Sequence, residues 1–162
     1  MVILVMGVTG AGKTTVGKLL TQRLGWKFLD ADDFHPPANV ARMHAGIPLD
    51  DADRAPWLAI LRAKISDWLQ AGIDTVLACS ALKQAYRDEL MISPDVKLVY
   101  LRGSRDLIAQ RLSLRHGHYM DPGLLPSQFA ALEEPKDAIV VDVDGGVTEI
   151  VDFLRKTLRL PQ

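Results

Sequence analysis

The stretch Gly7-Val8-Thr9-Gly10-Ala11-Gly12-Lys13-Thr14 constrains this chain more than any other. It fits G-x-x-x-x-G-K-[ST], a loop whose backbone amides cradle phosphate. The apolar run Val2–Met6 precedes it and a helical pattern opening near Lys13 follows, the strand–loop–helix context the motif needs. Glycines at 7, 10 and 12 admit backbone conformations closed to other residues, so successive amides can turn inward. Together with the first turn of the following helix they form an anion cradle. Lys13 supplies a mobile cation for the β- and γ-phosphates of a nucleotide, and the Thr14 hydroxyl is placed to ligate Mg²⁺. The expected nucleotide contacts are Gly7, Val8, Thr9, Gly10, Ala11, Gly12, Lys13, Thr14 and Thr15. A glycine-rich turn that holds nothing would not require the flanking strand and helix.

A length of 162 residues predicts one domain, residues 1–162, with enough chain to bury a core without staples. The net charge of −1 excludes a global basic field for nucleic acid, so anion binding must come from local clusters. Cys79 is the single cysteine; no internal disulfide is available, and the buried-type strand around it predicts an inert thiol. The N-terminal apolar run breaks at Gly7, too early for a signal segment, and no stretch approaches a membrane span. A cytoplasmic protein is the expectation.

Along the chain, short apolar strands alternate with helical patterns, which predicts a parallel sheet covered on both faces. The strands are expected at Val2–Met6, Trp26–Leu29, Asp74–Cys79, Val96–Leu101 and Ala138–Val143. Helices are expected at about Lys13–Leu24, Asn39–Ala45, Asp53–Ala71, through Tyr86–Leu90, after Ser104, over Ser127–Leu132 and over Val147–Leu158. The apolar stripe Trp57, Leu58, Leu61, Ile65, Trp68 and Leu69 is expected to be core. His116–Gly123 breaks the helical pattern and reads as mobile. His116 and His118 lack the partners of a zinc site.

In an open α/β sheet, ligands bind beyond the carboxyl ends of the strands, where the polar residues of this chain collect. Asp30 and Asp32 follow the second strand. Alternation along an extended segment would put them on one side, so one carboxylate could serve the metal's hydration shell while the other receives a hydroxyl proton. Ser80 and Lys83 follow the third strand. Arg54 and Arg87 sit near helix starts, where a guanidinium fork suits a carboxylate-bearing acceptor; surface pairing with Asp50, Asp51, Asp53 or Asp88 is the competing reading. His35 is expected either to bond a substrate hydroxyl or to be a packed loop histidine. Arg111 and Arg115, spaced i, i+4, would share a helix face leading into a lid that excludes water.

As a set these residues resemble the P-loop gluconate kinases, or gluconokinases. The resemblance is carried by Asp30-Ala31-Asp32-Asp33-Phe34-His35-Pro36, Asn39, Arg42-Met43, Gly46-Ile47-Pro48-Leu49, Asp51, Asp53-Arg54, Pro56-Trp57-Leu58, Cys79-Ser80-Ala81-Leu82-Lys83, Tyr86-Arg87-Asp88, Arg115, Gly117-His118, Leu125, Ser127-Gln128 and Leu132-Glu133-Glu134-Pro135. It covers nearly the whole chain and departs at Met91 and at Tyr119-Met120. It implies a three-layer α/β/α sandwich with a five-stranded parallel sheet in order 2-3-1-4-5 and a mobile lid at about 115–125. It implies phosphorylation of D-gluconate to 6-phospho-D-gluconate with ATP and Mg²⁺, by a protein that is often a homodimer. Lys13, Asp32 and Arg115 would be catalytic, with Asp32 orienting the acceptor and Arg115 on the phosphates. Asp30 and Thr14 would be nearest the metal, and Arg111, Asp144 and Gly145 near adenine. Asp32, His35, Arg54, Ser80, Lys83, Arg87 and His118 would line the sugar-acid site. Shikimate kinase is the rival in the same class, but Cys79-Ser80-Ala81 stands where that family has a glycine-rich turn. A GTPase-type switch would need guanine-reading motifs that are absent.

Overall fold

β1 (Val2–Met6) is the central strand of a five-stranded parallel sheet, and its five residues are fully buried. A strand covered on both faces can be apolar at every position, and this one is. Its odd and even residues divide between two cores. Ile3 and Val5 join Val16, Leu20, Val99, Leu101, Ile108, Val151 and Leu154, whereas Val2, Leu4 and Met6 join Trp57, Leu61, Ile65, Leu77, Leu90 and Leu98. A computed structural model describes residues 1–114 and 124–162.

The remaining strands are β2 (Lys27–Asp30), β3 (Thr75–Ala78), β4 (Val96–Arg102) and β5 (Ile139–Asp142), in the spatial order β2-β3-β1-β4-β5. The helices are α1 (Lys13–Leu24), α2 (Pro37–His44), α3 (Asp51–Ala71), α4 (Gln84–Leu90), α5 (Arg105–Ser113), α6 (Leu124–Ala131) and α7 (Val147–Thr157). α1 and α7 pack together over one face, and α3 and α4 over the other. This is the three-layer α/β/α sandwich in the expected strand order.

Boundaries shift where side chains cap. α3 starts at Asp51 rather than Asp53 because Asp50 and Asp53 form a capping box: the Asp53 amide donates to Asp50 Oδ1 at 2.7 Å, and the Asp50 amide donates to Asp53 Oδ2 at 3.0 Å. α5 starts after Ser104, whose hydroxyl accepts from the Leu107 amide at 3.1 Å. Trp57 and Trp68 are core residues, as expected, at 4% and 8% exposure.

The register aligns the chemistry. Val5 pairs with Ala78 and Ala78 with Asp30, so the carboxyl ends of β1, β3 and β2 lie in one row. At about 4.8 Å per strand, Asp30 stands about 10 Å from the end of β1, where the phosphate loop begins. The loops after β2 and β3 therefore flank the cradle on one side, and those after β4 and β5 on the other.

Candidate active site

The phosphate loop leaves β1 at Gly7 and enters α1 at Lys13. Gly10 and Gly12 have φ of 83° and 97°, left-handed values that favour glycine. A Cβ at Gly10 would also meet Leu112 Cδ2 at 2.9 Å, so α5 closes against the loop from the β4 side. The Gly7 amide donates to the Ser80 carbonyl at 3.3 Å, which ties the cradle to the loop after β3. Lys13 Nζ donates to the carbonyls of Gly7 and Val8 at 2.8 and 3.1 Å, so its ammonium rests against the loop. Thr14 and Thr15 are exposed in the first turn of α1. The Thr9 amide donates to Gln128 Oε1 of α6 at 2.6 Å, a tie across 119 residues that motif spacing does not reveal.

Asp30 ends β2, and the chain beyond it does not stay extended, contrary to expectation. Its Oδ1 accepts the Asp32 amide at 2.9 Å and caps a 3₁₀ turn over Ala31–Phe34. The alternation argument for a shared side thus fails, and the turn itself brings the two carboxylates into electrostatic contact. The Asp32 carboxyl is raised above its ordinary value by burial first, then by Asp30 and Asp33, while Lys13 opposes. Its side chain is nevertheless 70% exposed. Solvent reaches this open carboxylate and weakens the effects of burial and of neighbouring charges alike. The loop cation Lys13 thus favours the charged form of this carboxylate.

His35 Nε2 stands 3.9 Å from Asp32 Oδ1. His35 stacks on Trp57, with ring centroids 4.4 Å apart, and Trp57 Nε1 donates to the Ala31 carbonyl at 2.7 Å. Trp57 also lines a cavity of about 50 Å³ with Arg54, Ser80, Leu82, Lys83, Tyr86 and Ala131. Arg54 Nη1 donates to the Tyr86 hydroxyl at 3.1 Å. That hydroxyl donates in turn to Asp51, which also accepts from Lys83 Nζ at 3.0 Å. The Tyr86 bond, then the Lys83 bond, hold the Asp51 carboxyl below its ordinary value. Arg54 and Lys83 are thus held at one cavity by Tyr86 and Asp51, two residues that sequence reasoning did not place in the substrate site. Long-range contacts of this kind leave no local spacing to find.

Arg87 departs from expectation. It is 1% exposed, and its four terminal N–H groups are directed to the Ala81 and Leu82 carbonyls, Gln84 Oε1 and the Glu133 carbonyl. It clamps the loop after β3 to the segment after α6, and it does not line the Arg54–Lys83 cavity. A larger cavity of about 110 Å³ beside Arg87 includes Asp88, Lys136 and Asp137. It shares no residue with the phosphate loop or with Asp30–His35, and its opposed charges suit no single anion.

On the other side of β1, Arg111 bonds the Val143 carbonyl, immediately before Asp144 and Gly145. The structure thus brings together the residues expected near adenine. α5 carries Arg111 in its last turn, and the shared face expected for Arg111 and Arg115 falls on a residue outside the described ones. Arg115, His118 and most of the expected lid at about 115–125 lie outside the described residues. Cys79 is buried and its thiol is pushed up to about 12, chiefly by burial, which makes it inert.

Thr14 and Asp30 are hard oxygen donors of the kind Mg²⁺ prefers. Among the described residues no group of three or more His, Cys, Asp or Glu could hold a metal ion. That donor set fits a metal that arrives already coordinated by phosphates. No helix among the described residues is long and apolar enough to cross a membrane.

A phosphate cradle at the end of a central strand, with a carboxylate and a cation-lined cavity beside it, defines a P-loop kinase acting on a small molecule. The family model described as an AAA domain matches residues 2–134. A probable gluconokinase of Mus musculus is 44% identical over 98% of this chain and 97% of that protein. The gluconokinase of Gluconobacter oxydans strain 621H is 49% identical over 83% of this chain and 76% of that protein. The crystal structure of a gluconokinase from Sinorhizobium meliloti 1021 superposes with a TM-score of 0.80 at 38% identity, covering 97% of this chain and 94% of that one. The chain belongs to the gluconokinase family.

Proposed function

We propose that this chain transfers the γ-phosphoryl group of ATP to the 6-hydroxyl of D-gluconate, giving 6-phospho-D-gluconate and ADP. The observation that carries this reading is the pairing of Asp32 with a cavity held by Arg54 and Lys83. Trp57 and His35 connect the two. An open-chain sugar acid needs a cation for its carboxylate, partners for its hydroxyls and a carboxylate to aim the reacting one. The names of the relatives supply the particular acid.

In this reading the phosphate loop, residues 7–14, holds the β- and γ-phosphates and Lys13 moves onto them. Arg54 and Lys83 take the substrate carboxylate, and Ser80 takes a hydroxyl. Asp32 accepts the proton of the attacking hydroxyl as its oxygen bonds to the γ-phosphorus and the β–γ bridge bond breaks. Mg²⁺, held by Thr14 and from the side of Asp30, would neutralise the charge of the triphosphate. Arg111 and the Asp144–Gly145 loop flank adenine. Arg115 and His118 are assigned to the phosphates and the sugar acid on the family likeness alone. On the same footing the whole chain, 1–162, is one kinase unit, and its working form is a cytoplasmic homodimer.

A coupled assay of ADP release with ATP and a panel of acceptors tests the substrate. Gluconate should stimulate turnover far above shikimate, glucose or other sugar acids, because buried polar groups left unpaired by the wrong acceptor cost about 10⁴-fold or more in discrimination. Equal rates across the panel would refute the assignment. Arg54→Ala should raise the KM for gluconate by about 10- to 100-fold, the loss of a charge-assisted hydrogen bond, with the KM for ATP little changed. The opposite pattern would put Arg54 at the nucleotide.

A further inference from the structure

The imidazole of His35 is held by three neighbours. Its ring lies on Trp57 with planes 14° apart. Nδ1 stands 3.2 Å from Asn39 Nδ2, and Nε2 stands 3.9 Å from Asp32 Oδ1. The His35 side chain is 4% exposed, so protein groups rather than bulk water decide where its proton sits.

Asn39 decides it. This residue is itself 4% exposed, and its Nδ2 also donates to the main-chain carbonyl of Asp53 at 2.8 Å. A carbonyl oxygen only accepts, so the amide nitrogen, not the amide oxygen, must face that side. Asp53 therefore fixes the amide orientation independently of the histidine. The second amide hydrogen is left for His35 Nδ1, which must then be a bare acceptor. A neutral imidazole with bare Nδ1 carries its proton on Nε2, the atom that faces Asp32.

We infer that Asn39 is a positioning residue that holds His35 as the neutral, Nε2-protonated tautomer, so that His35 and Asp32 together grip the attacking hydroxyl. The second half rests on the role proposed above for Asp32. A separation of 3.9 Å is too long for a direct hydrogen bond. A hydroxyl oxygen can, however, sit about 2.8 Å from both atoms. It then donates its proton to Asp32, accepts from His35 Nε2–H, and keeps one lone pair for phosphorus. The opposite tautomer would present a bare nitrogen that competes for the hydroxyl proton. A charged ring would draw the Asp32 carboxylate into an ion pair and weaken it as a base. Burial first, then the Arg54 guanidinium of α3, hold the His35 ring below its ordinary value and so favour the neutral form.

Imidazole ¹⁵N–¹H correlation spectra of the full chain, labelled at its four histidines, test the tautomer directly, with His35→Gln assigning the signal. At neutral pH, His35 should show a protonated Nε2 and a bare Nδ1. A protonated Nδ1, or a charged ring, overturns the proposal whatever the substrate is. In Asn39→Asp the side chain can only accept, so Nδ1 should gain a proton and the signal should move accordingly. With it, kcat/KM for gluconate should fall about 10- to 100-fold, as for the loss of one well-placed hydrogen bond, with the KM for ATP within about twofold. An Asn39→Asp protein that keeps the parent tautomer, or that changes it with unaltered gluconate kinetics, refutes the positioning role. If that variant does not fold, the parent spectrum decides. A wrong substrate assignment would show differently, as no gluconate turnover in the parent with the His35 spectrum as expected.

Discussion

Lys13→Ala is expected to lower kcat with gluconate by about 10³-fold or more while leaving the fold intact. The cradle has two separable parts. Its backbone amides depend on the left-handed conformations of Gly10 and Gly12 and on the tie from the Gly7 amide to Ser80, none of which involves the Lys13 side chain. The ammonium is the mobile part, resting on the Gly7 and Val8 carbonyls before a triphosphate takes their place. Alanine removes the mobile charge and keeps the amides. Ground-state binding of ATP should weaken modestly, whereas the charge that builds on the bridging oxygen as the β–γ bond breaks loses its nearest cation. Lys13→Arg should not rescue, because a planar fork cannot replace a compact point charge inside a loop sized for lysine. Coupled assays of kcat with calorimetric titration of ATP separate the two effects. A kcat within about tenfold of the parent would show that the amides alone carry the transfer.

The phosphate loop was legible because glycine is required there for a backbone reason, and the same reason fixes where β1 stops and α1 begins. The order β2-β3-β1-β4-β5 was accessible through family likeness, not through periodicity, which predicts parallel strands without saying which are neighbours. Asp30 and Arg87 depart from the pattern. Alternation assumed that the chain stays extended past Asp30, but an aspartate at a strand end can cap the amide two residues on, and here that bond curls the chain into a 3₁₀ turn. Arg87 and Arg54 look alike in sequence, each an arginine near a helix start. Only the fold shows that Glu133 closes over one of them and leaves the other at a cavity. Asn39, Tyr86 and Asp51 stand in the family likeness, but their roles were not legible, for a related reason. Each acts through a partner that folding delivers, the Asp53 carbonyl for Asn39 and the Tyr86–Asp51 contact across 35 residues for the other two.

Asp32→Asn should lower kcat by about 10²- to 10⁴-fold, the usual worth of a positioned base, with little change in ATP affinity. Its pH behaviour distinguishes a working carboxylate from a bystander. The Asp32 carboxyl lies above its ordinary 3.8, so the acid limb of kcat/KM, measured with both substrates below saturation, should also lie above 3.8, with activity lost as pH falls through it. Asp30 is one of the charges that raises it. Asp30→Asn should therefore move the limb to lower pH, whatever it does to the maximum rate. Stability must run the other way. A carboxyl that holds its proton more tightly when folded loses stability as pH rises from the ordinary value through the folded one. At neutral pH the native chain thus carries an ion that Asp30 and Asp33 disfavour, and Asp32→Asn relieves it. The variant should melt no lower than the parent while its turnover collapses. A residue kept for structure would give the reverse, a lower melting temperature with kinetics that follow the folded fraction. Near-normal kcat in Asp32→Asn, or an acid limb unmoved by Asp30→Asn, would remove Asp32 from the reaction.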